Sequence, residues 1–474
     1  MTSRRDQLQA YQFLVQRAVS ALVTRETDPL QPPFRRATGA LVAGVLLGLL
    51  ALAGVGVYGV IVPGGNTSWR NQSAVIVEKE TGTRYVYLDG QLHPVTNYVS
   101  ALLVLGQHSP TLSVSRDSLA GVPRGPLLGI PDAPDALPGP DRLLTGPWSL
   151  CSAPATDASG SPIQQSVLLA GASAAGGAGL GDRALLVQLA ATGERYLIWH
   201  GYRHHIDDYG SVGTGLALTN QPWATVDQAW LDVLPAGAPL GPIAVPRAGA
   251  VSTAVPGRGD IRVGMLLVVN SVDGGQQHYL AGPDALLPIT EAQYDIQRAW
   301  PQTMAAYPAG MPTAVGLDPS LAASARTINS AATAANDAPG VRPAIAGLSD
   351  AATTVCAGFA PGDSVPRLTV GPTLPSPLAA TESRSGTGTP LADKVYVPPG
   401  AAVLVDAMPT PDAPSGTLEV VTDEGRCYPL ASPSVLKTLG YDTARPVKMP
   451  AGLVLRLPQG PSLDPTAATR QPIG

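Results

Sequence analysis

The sequence predicts a single transmembrane helix followed by an α+β, β-rich extracytoplasmic region, in which four hairpin–helix repeats surround a discontinuous central domain. Three observations carry that prediction. One long run near the N-terminus holds no charged residue, and four later stretches share one strand–turn–strand pattern. The third is composition: Gly 52, Pro 48 and only 14% charged residues, against about 25% charged in an average soluble domain. Such a chain suits short strands, turns and extended connections. It argues against coiled coils, long helical bundles and a compact all-helical enzyme. A net charge of -5 and a pI near 5.7 give no polyanion-binding footprint, so nucleic acid is not expected as a partner. At roughly 100–200 residues per domain, 474 residues allow two to four domains.

The first element is a short amphipathic helix. Leu8, Tyr11, Val15, Ala18 and Leu22 recur at alternating three- and four-residue spacing, while Arg5, Gln9, Gln12 and Gln16 lie on the opposite side. Ser3 followed by Asp6 provides an N-terminal cap. So short a helix cannot bury its apolar stripe alone, so it needs a membrane surface or, as the preferred expectation, a partner protein. Asp28-Pro29-Leu30-Gln31-Pro32-Pro33 then breaks the helix.

The span follows. From Ala37 to Val62 the chain is apolar apart from Thr38 and Tyr58, giving about 39 Å of helix against a ~30 Å hydrocarbon layer. Gly44, Gly48, Gly54, Gly56 and Gly59 would weaken a helix in water but are tolerated in lipid. Gly44 and Gly48 form a GxxxG pair that would let a second helix approach, a spacing also ordinary in membrane helices. Arg4, Arg5, Arg17, Arg25, Arg35 and Arg36 precede the span, whereas Asn66, Thr67, Ser68 and Trp69 follow it. The positive-inside rule therefore puts 1–36 in the cytoplasm and the chain after Pro63 outside, a single pass through the cell inner membrane. The run is too long, and its leading segment too extended, for a cleaved signal peptide.

Beyond the span, the stretches 74–88, 185–199, 266–281 and 418–431 each read as apolar strand, Gly-containing turn, Tyr and second strand. Gly82 precedes Tyr85, Gly193 precedes Tyr196 and Gly425 precedes Tyr428 by three positions; Gly275 precedes Tyr279 by four. Each is expected to be a hairpin whose glycine takes a positive φ. The first two copies also match downstream, where Val114, Leu119, Pro123 and Gly125 parallel Val226, Leu231, Pro235 and Gly237. The copies are unevenly spaced, which excludes a solenoid of fixed period. The extra chain after the first and third copies is expected to combine into the central domain.

The expected boundaries are 1–36 cytoplasmic amphipathic helix and linker, 37–62 transmembrane helix, 63–134 linker and repeat 1, and 135–180 the leading segment of the central domain. They continue with 181–250 repeat 2, 251–329 repeat 3, 330–415 the returning segment of the central domain, 416–460 repeat 4 and 461–474 flexible tail. Cys151 falls in the first insert and Cys356 in the second. A bridge between them would pin the inserts together for about 2–4 kcal/mol. A pairing that uses Cys427 stays open from sequence; that residue otherwise reads as a small buried thiol rather than a nucleophile. The Pro- and Ala-rich stretches 301–345 and 383–389 read as loops.

Recognisable chemistry is sparse. A P-loop needs Gly-x-x-x-x-Gly-Lys-Ser/Thr, and here only Lys437 precedes a Thr, with Leu436 where the glycine belongs. The sequence has no such motif. His200, His204, His205, Asp207 and Asp208 have the look of metal-ligand material, but their place after the second hairpin reads as turn chemistry. The Gly-rich stretch 171–179 carries no charge and reads as a flexible loop. No serine nucleophile elbow is present. Catalytic, cofactor-binding and metal residues are therefore assigned to none, and no cofactor is expected.

Together these pieces resemble EccB, a core membrane subunit of the actinobacterial type VII (ESX) secretion system. The resemblance rests on Arg4-Arg5-Asp6-Gln7-Leu8-Gln9-Ala10-Tyr11-Gln12-Phe13-Leu14, on Asp28-Pro29-Leu30 and on the Gly-x-x-Tyr copies. Trp148-Ser149-Leu150-Cys151 and Val355-Cys356-Ala357 fit the family's paired cysteines. The resemblance implies a structural subunit of a secretion channel. It also implies a membrane complex with EccC, EccD and EccE, in which periplasmic regions associate with one another and with the mycosin protease. Family members are often labelled ATPases (ATP-binding, hydrolase), a label these residues do not support, and the resemblance leaves EccC as the energy source. A nucleotide hydrolase without a P-loop and a cell-wall-binding receptor are the alternative functions.

Overall fold

The computed structural model describes residues 3–25, 35–61, 67–71, 73–271, 274–328, 336–382 and 384–472. The expected linker 28–33, the span's last residue Val62 with Pro63, the flanking Asn66, residues 330–335 and Ser383 lie outside the described residues.

Helix α1 (Arg4–Thr24) starts at a capping box in which the Ser3 hydroxyl accepts from Arg5 N at 3.2 Å and the Asp6 carboxylate accepts from Ser3 N at 3.1 Å. Helix α2 (Arg35–Ile61) contains the apolar span Thr38–Tyr58, of mean hydropathy 2.5. The chain continues as β1 (Val75–Glu78), β2 (Arg84–Leu88), β3 (Gln91–Pro94), α3 (Tyr98–Leu105), β4 (Thr111–Val114) and α4 (Arg116–Leu119). Next come β5 (Trp148–Thr156), β6 (Pro162–Leu169) and β7 (Ala178–Gly179). They are followed by β8 (Leu185–Leu189), β9 (Arg195–Trp199), β10 (Tyr202–His205), α5 (Tyr209–Gly215), β11 (Ala224–Val226) and α6 (Gln228–Asp232). The third series is β12 (Leu266–Asn270), β13 (Gln276–Ala281), β14 (Leu286–Ile289), α7 (Glu291–Ala299), β15 (Val315–Gly316) and α8 (Pro319–Ser324). After β16 (Val355–Phe359), β17 (Arg367–Val370), β18 (Ala379–Ala380) and β19 (Lys394–Tyr396), the last series begins. It runs β20 (Ala402–Met408), β21 (Thr417–Thr422), β22 (Cys427–Pro429), α9 (Val435–Leu439), β23 (Val447–Pro450), α10 (Ala451–Val454) and α11 (Pro465–Ala468).

Four sheets share one strand plan. Their orders are β3-β2-β1-β4, β10-β9-β8-β11, β14-β13-β12-β15 and β22-β21-β20-β23. In each, the first strand pairs antiparallel with the second and parallel with the fourth. A parallel partner requires a crossover, and in each series the crossover contains a helix. A seven-stranded sheet, β18-β19-β6-β5-β16-β17-β7, draws its strands from two distant stretches of the chain.

The chain divides into two compact units, Met1–His93 with Pro110–Gly125, and Pro94–Ser109 with Pro126–Gly474. The first unit buries Trp69, Ile76, Tyr85, Leu92, Val114 and Leu119 in a small core. In the second unit one large core joins three sheets. Trp148, Leu150 and Phe359 of the seven-stranded sheet meet Val187 and Trp230 of the second sheet's series and Val405, Met449 and Leu457 of the fourth's. Helices in this unit also pair: α3 packs against α9 and α11, and α5 against α7. Gly215 permits the second pairing, because a Cβ there would lie 2.6 Å from the Asp295 carbonyl oxygen.

Several sequence expectations need correcting. The Gly425–Tyr428 turn is not the first hairpin of the fourth sheet, because β20 precedes it and pairs with β21. Ala402–Met408, expected in central segment 330–415, is thus that sheet's first strand, and the start at 416 is too late. The misreading has a physical source. Strand β20 is buried almost throughout, so it shows no alternation, and its connection to β21 lacks the Gly-x-x-Tyr signal. Segment 461–474, expected to be a flexible tail, packs as far as it is described. Leu463 and Ala468 are fully buried, and Asp464 caps α11 by accepting from Thr466 N. The Gly-rich 171–179 stretch is not a free loop, since Ala178 and Gly179 pair with β17 as the sheet's edge. Within 301–345, Thr303, Ala306, Tyr307 and Leu317 are buried rather than in loose connections.

Candidate functional site: an exposed span joined to sheets closed by a disulfide

In the span Thr38–Tyr58 of α2 the apolar side chains point outward on every side. None of the span Thr38–Tyr58 is buried, and a Cβ added at Gly44 or Gly48 would meet nothing within 4 Å. A helix satisfies its own backbone hydrogen bonds, so an apolar surface all round suits lipid. Helix α1 differs. Leu8, Tyr11, Val15 and Leu22 are exposed together on its stripe, at 58%, 67%, 44% and 84%, Phe13, Leu14 and Val23 are exposed beside it, and Arg5, Gln9, Gln12 and Gln16 add polar surface.

The repeat-signature residues occupy strands and turns. Gly82 and Gly193 take positive φ, 72° and 75°, and close equivalent turns by donating to Glu78 O at 2.8 Å and Leu189 O at 2.9 Å. In the third sheet the left-handed residue is Gly274 (φ 85°) rather than the expected Gly275; the turn's Val272 and Asp273 lie outside the described residues. Gly425 (φ 77°) donates to Thr422 O at 3.0 Å in a tighter turn between β21 and β22. The four tyrosines have different surroundings. The Tyr85 hydroxyl donates to Glu78 at 3.3 Å, under the Arg124 guanidinium 4.4 Å from the ring. Tyr196 bonds Glu194 at 3.3 Å and Tyr279 bonds Gln277 at 2.9 Å, both at the surface. Tyr428 is 2% exposed and sits on a third strand.

A stronger recurrence lies elsewhere in the backbone. Leu92 N donates to Pro123 O and Leu92 O accepts from Gly125 N; Arg203 makes the same pair with Pro235 and Gly237, and Cys427 with Pro458 and Gly460. Leu286 does so with Arg326 and Ile328. The next residue on the strand, His93, His204 or Tyr428, lies over the glycine, where a Cβ would collide with the ring. The sequence match of Pro123 and Gly125 with Pro235 and Gly237 signals this clasp; in the fourth sheet its only trace is Pro458-Gln459-Gly460.

Cys151 and Cys356 face each other on antiparallel β5 and β16 and are disulfide-bonded, with Cα atoms 4.0 Å apart. Val167 and Leu169 enclose the bridge. Cys427 is a free, fully buried thiol whose Sγ donates to Glu419 Oε2 at 2.6 Å. Burial pushes the Cys427 thiol up, and burial also raises the Glu419 carboxyl. The expected histidine–aspartate cluster diverges. His205 Nδ1 bonds Asp207 at 2.6 Å, His200 faces Asp182 at 3.4 Å, and Asp208 caps α5. His204 is buried, with Nδ1 2.8 Å from Ala238 O, and burial lowers its pKa. Among the described residues no group of three or more His, Cys, Asp or Glu is placed to hold a metal.

Sequence reasoning missed two features. One is a cavity of about 390 Å³ between Tyr202, Pro235, Val365, Met408, Met449 and Pro450. The other is a buried polar junction. There Arg456, 7% exposed, donates to Pro390 O at 2.7 Å and lies 3.9 Å from Asp232, which pairs with Arg203 at 3.1 Å. Neither has a local sequence signal, because their residues come from separate series.

The family model described as "Type VII secretion system ESX-1, transport TM domain B" matches residues 1–472. The chain is 33% identical over 305 residues to "ESX-2 secretion system ATPase EccB2" of Mycobacterium tuberculosis (strain CDC 1551 / Oshkosh), a match covering 63% of this chain and 59% of that protein. Among solved structures it resembles a chain of "an intact ESX-5 inner membrane complex", with TM-score 0.64, 25% identity and coverage of 100% of this chain and 96% of that one. It also resembles a chain of the "EccB3 dimer from the ESX-3 core complex", with TM-score 0.61, 25% identity and coverage of 84% and 100%. With an exposed apolar helix ahead of a sheet-rich region and a family match along its length, the chain belongs to the EccB family of type VII secretion membrane proteins.

Proposed function

We propose that this chain is a structural core subunit of a type VII protein secretion channel, anchoring the cytoplasmic complex and forming its periplasmic assembly. The observation that carries the reading is the Thr38–Tyr58 helix, apolar and unburied, in a chain whose family match runs over residues 1–472. The arginines before the span favour a cytoplasmic N-terminus and an extracytoplasmic C-terminal region. In this reading α1 lays its exposed stripe on a partner in the complex. The four like-ordered sheets are four copies of one hairpin–helix unit, and the seven-stranded sheet, built from 148–179 and 355–396, is their central domain. With β20 included, the fourth copy starts at about residue 402 instead of 416.

The occurrence of similar chains in an inner membrane complex and in a dimer supports self-association and a membrane assembly. EccC, EccD, EccE and the mycosin protease are its expected partners by family resemblance. Extraction of native membranes in mild detergent, followed by mass measurement and subunit identification, tests the reading. Recovery of this chain in a large assembly containing a cytoplasmic ATPase is expected. Recovery as a lone chain would count decisively against it.

The word ATPase in the relative's name favours a second reading, nucleotide hydrolysis by this chain. The sequence offers no phosphate-cradling Gly-Lys-Thr, since Leu436 precedes Lys437. Phosphate release from ATP by the full chain in detergent, no faster than in buffer, would remove this reading.

A further inference from the structure

In each of the four like-ordered sheets, the strand that pairs parallel with the first strand forms one border, and the outer edge of that strand is treated differently from sheet to sheet. In the second sheet Thr225 of β11 donates its N–H to Ala351 O at 2.9 Å, and in the fourth Lys448 O of β23 accepts from Gly362 N at 2.9 Å. In the third, β15 is two residues long and turns only Gly316 outward, since Leu317 N donates to Val268 O. Strand β4 of the first sheet is longer and open. Val75 N donates to Pro110 O and Lys79 N to Val114 O. By alternation Pro110, Leu112 and Val114 turn their backbone groups to β1, and Thr111 and Ser113 turn theirs away. Ser113, opposite Val77, is the counterpart of Thr225, opposite Gln188. Yet the N–H and C=O groups of Ser113 and Thr111 meet no partner among the described residues, and both residues are exposed. Natural sheets blunt such an edge with lysine, proline or a bulge. Thr111–Val114 holds no charge, and its neighbour Pro110 faces β1.

We propose that β4 pairs with β4 of a second copy of this chain, antiparallel about a twofold axis at Leu112, so that two first sheets join into one. The proposal rests on the structural-subunit reading above and names the surface of its self-association. Reversing the strand about Leu112 sets Thr111 opposite Ser113 of the second copy. That is an antiparallel hydrogen-bonded pair, which exchanges both N–H···O bonds, and the twofold repeats it. Every outward group of Thr111 and Ser113 is then used. Leu112 meets its own counterpart at the intervening position, where paired strands approach most closely, ~4.5 Å between Cα atoms. Its side chain is only half-buried against the first unit's core, and the second copy's leucine covers the remainder. The Thr111 and Ser113 hydroxyls come side by side on the other face, a favourable cross-strand pair. So short an edge binds weakly by itself. Two copies held in one bilayer by α2 meet at a raised effective concentration, which compensates.

The test is disulfide cross-linking of the full chain in intact membranes from cells making two differently tagged copies, one Thr111→Cys and the other Ser113→Cys. Background is low, because Cys151 and Cys356 are already bridged and Cys427 is buried. Oxidation should give a doubly tagged dimer, about tenfold above a control pair of Thr81→Cys with Ser113→Cys, since Cα atoms opposed at ~5.5 Å suit a disulfide. Two Thr111→Cys copies, set ~7–8 Å apart on the diagonal, should stay near the control. Leu112→Cys in both copies meets itself on the axis and serves if either first variant does not fold. The same membranes are extracted in mild detergent. Control-level cross-linking of a chain still found in the large assembly overturns the edge pairing and leaves the subunit reading standing. A lone chain without cross-links removes both. Cross-linking of these cysteines to a different protein in place of the second copy also overturns the proposal.

Discussion

Helix α2 and strand β5 are both strongly apolar, yet they are finished in opposite ways. In α2 the span Thr38–Tyr58 exposes its whole apolar surface, with no polar face and no neighbour among the described residues within reach of its glycines. In β5 the residues Trp148, Leu150 and Cys151 are fully buried, with β6 on one edge and β16 on the other. A helix needs only a solvent for its side chains, because its backbone is already paired; a strand needs neighbours before its backbone is satisfied. One region is therefore completed by a bilayer and the other by its own chain.

Perturbations should separate the two. The largest effect is expected from replacing Leu49 and Leu50 together by Arg. That adds about 5–7 kcal/mol to the insertion of α2, at ~2.5–3.5 for each arginine near the centre. The chain should move from the carbonate-resistant membrane fraction to the soluble one, with near-UV circular dichroism of the sheets unchanged. Undiminished membrane retention would break the comparison from the helix side. Trp148→Ala should do the reverse. It costs about 3–5 kcal/mol of sheet stability, read as a lower urea midpoint in detergent, while membrane retention stays as before.

Replacing Cys151 and Cys356 together by Ser should cost about 2–4 kcal/mol on the same urea assay, and reductant should no longer affect the midpoint. The smallest effect is expected at Glu419. Its buried carboxyl has a pKa above the ordinary 4.5, so the folded chain binds more protons than the unfolded one in the interval between the two values. Stability therefore falls as pH rises through that interval. Glu419→Gln should match the unaltered chain below pH about 4 and exceed it near neutrality. A difference independent of pH would show that hydrogen bonding to Cys427, rather than charge, decides the site.

The helical region was almost fully legible, because its determinants are local. Ser3 and Asp6 lie one turn apart, and the uncharged run declares itself. The first two hairpins were legible through Gly82 and Gly193, whose positive φ the turn requires. Where determinants are distant, reading failed. Strand β20 carries a continuous apolar run whose partners β21 and β23 give it meaning only once assembled. The packing of Leu463 and Ala468 depends on residues hundreds of positions earlier, as α11 rests on α3. The hydrogen bond from the Ser166 hydroxyl to Asp393 is of the same kind: the two residues lie 227 positions apart.

The seven-stranded sheet also sets an order of events during synthesis. Strand β5 has β6 beside it at once, but its other neighbour, β16, arrives only after the second and third sheets have been made; the cysteines opposite each other are 205 residues apart. At ribosomal speeds of 5–20 residues per second, that is a wait of roughly 10–40 s with Trp148 and Leu150 only half covered. Through that interval the nascent chain presents an open strand edge, and a chaperone that shields such edges is what it most needs.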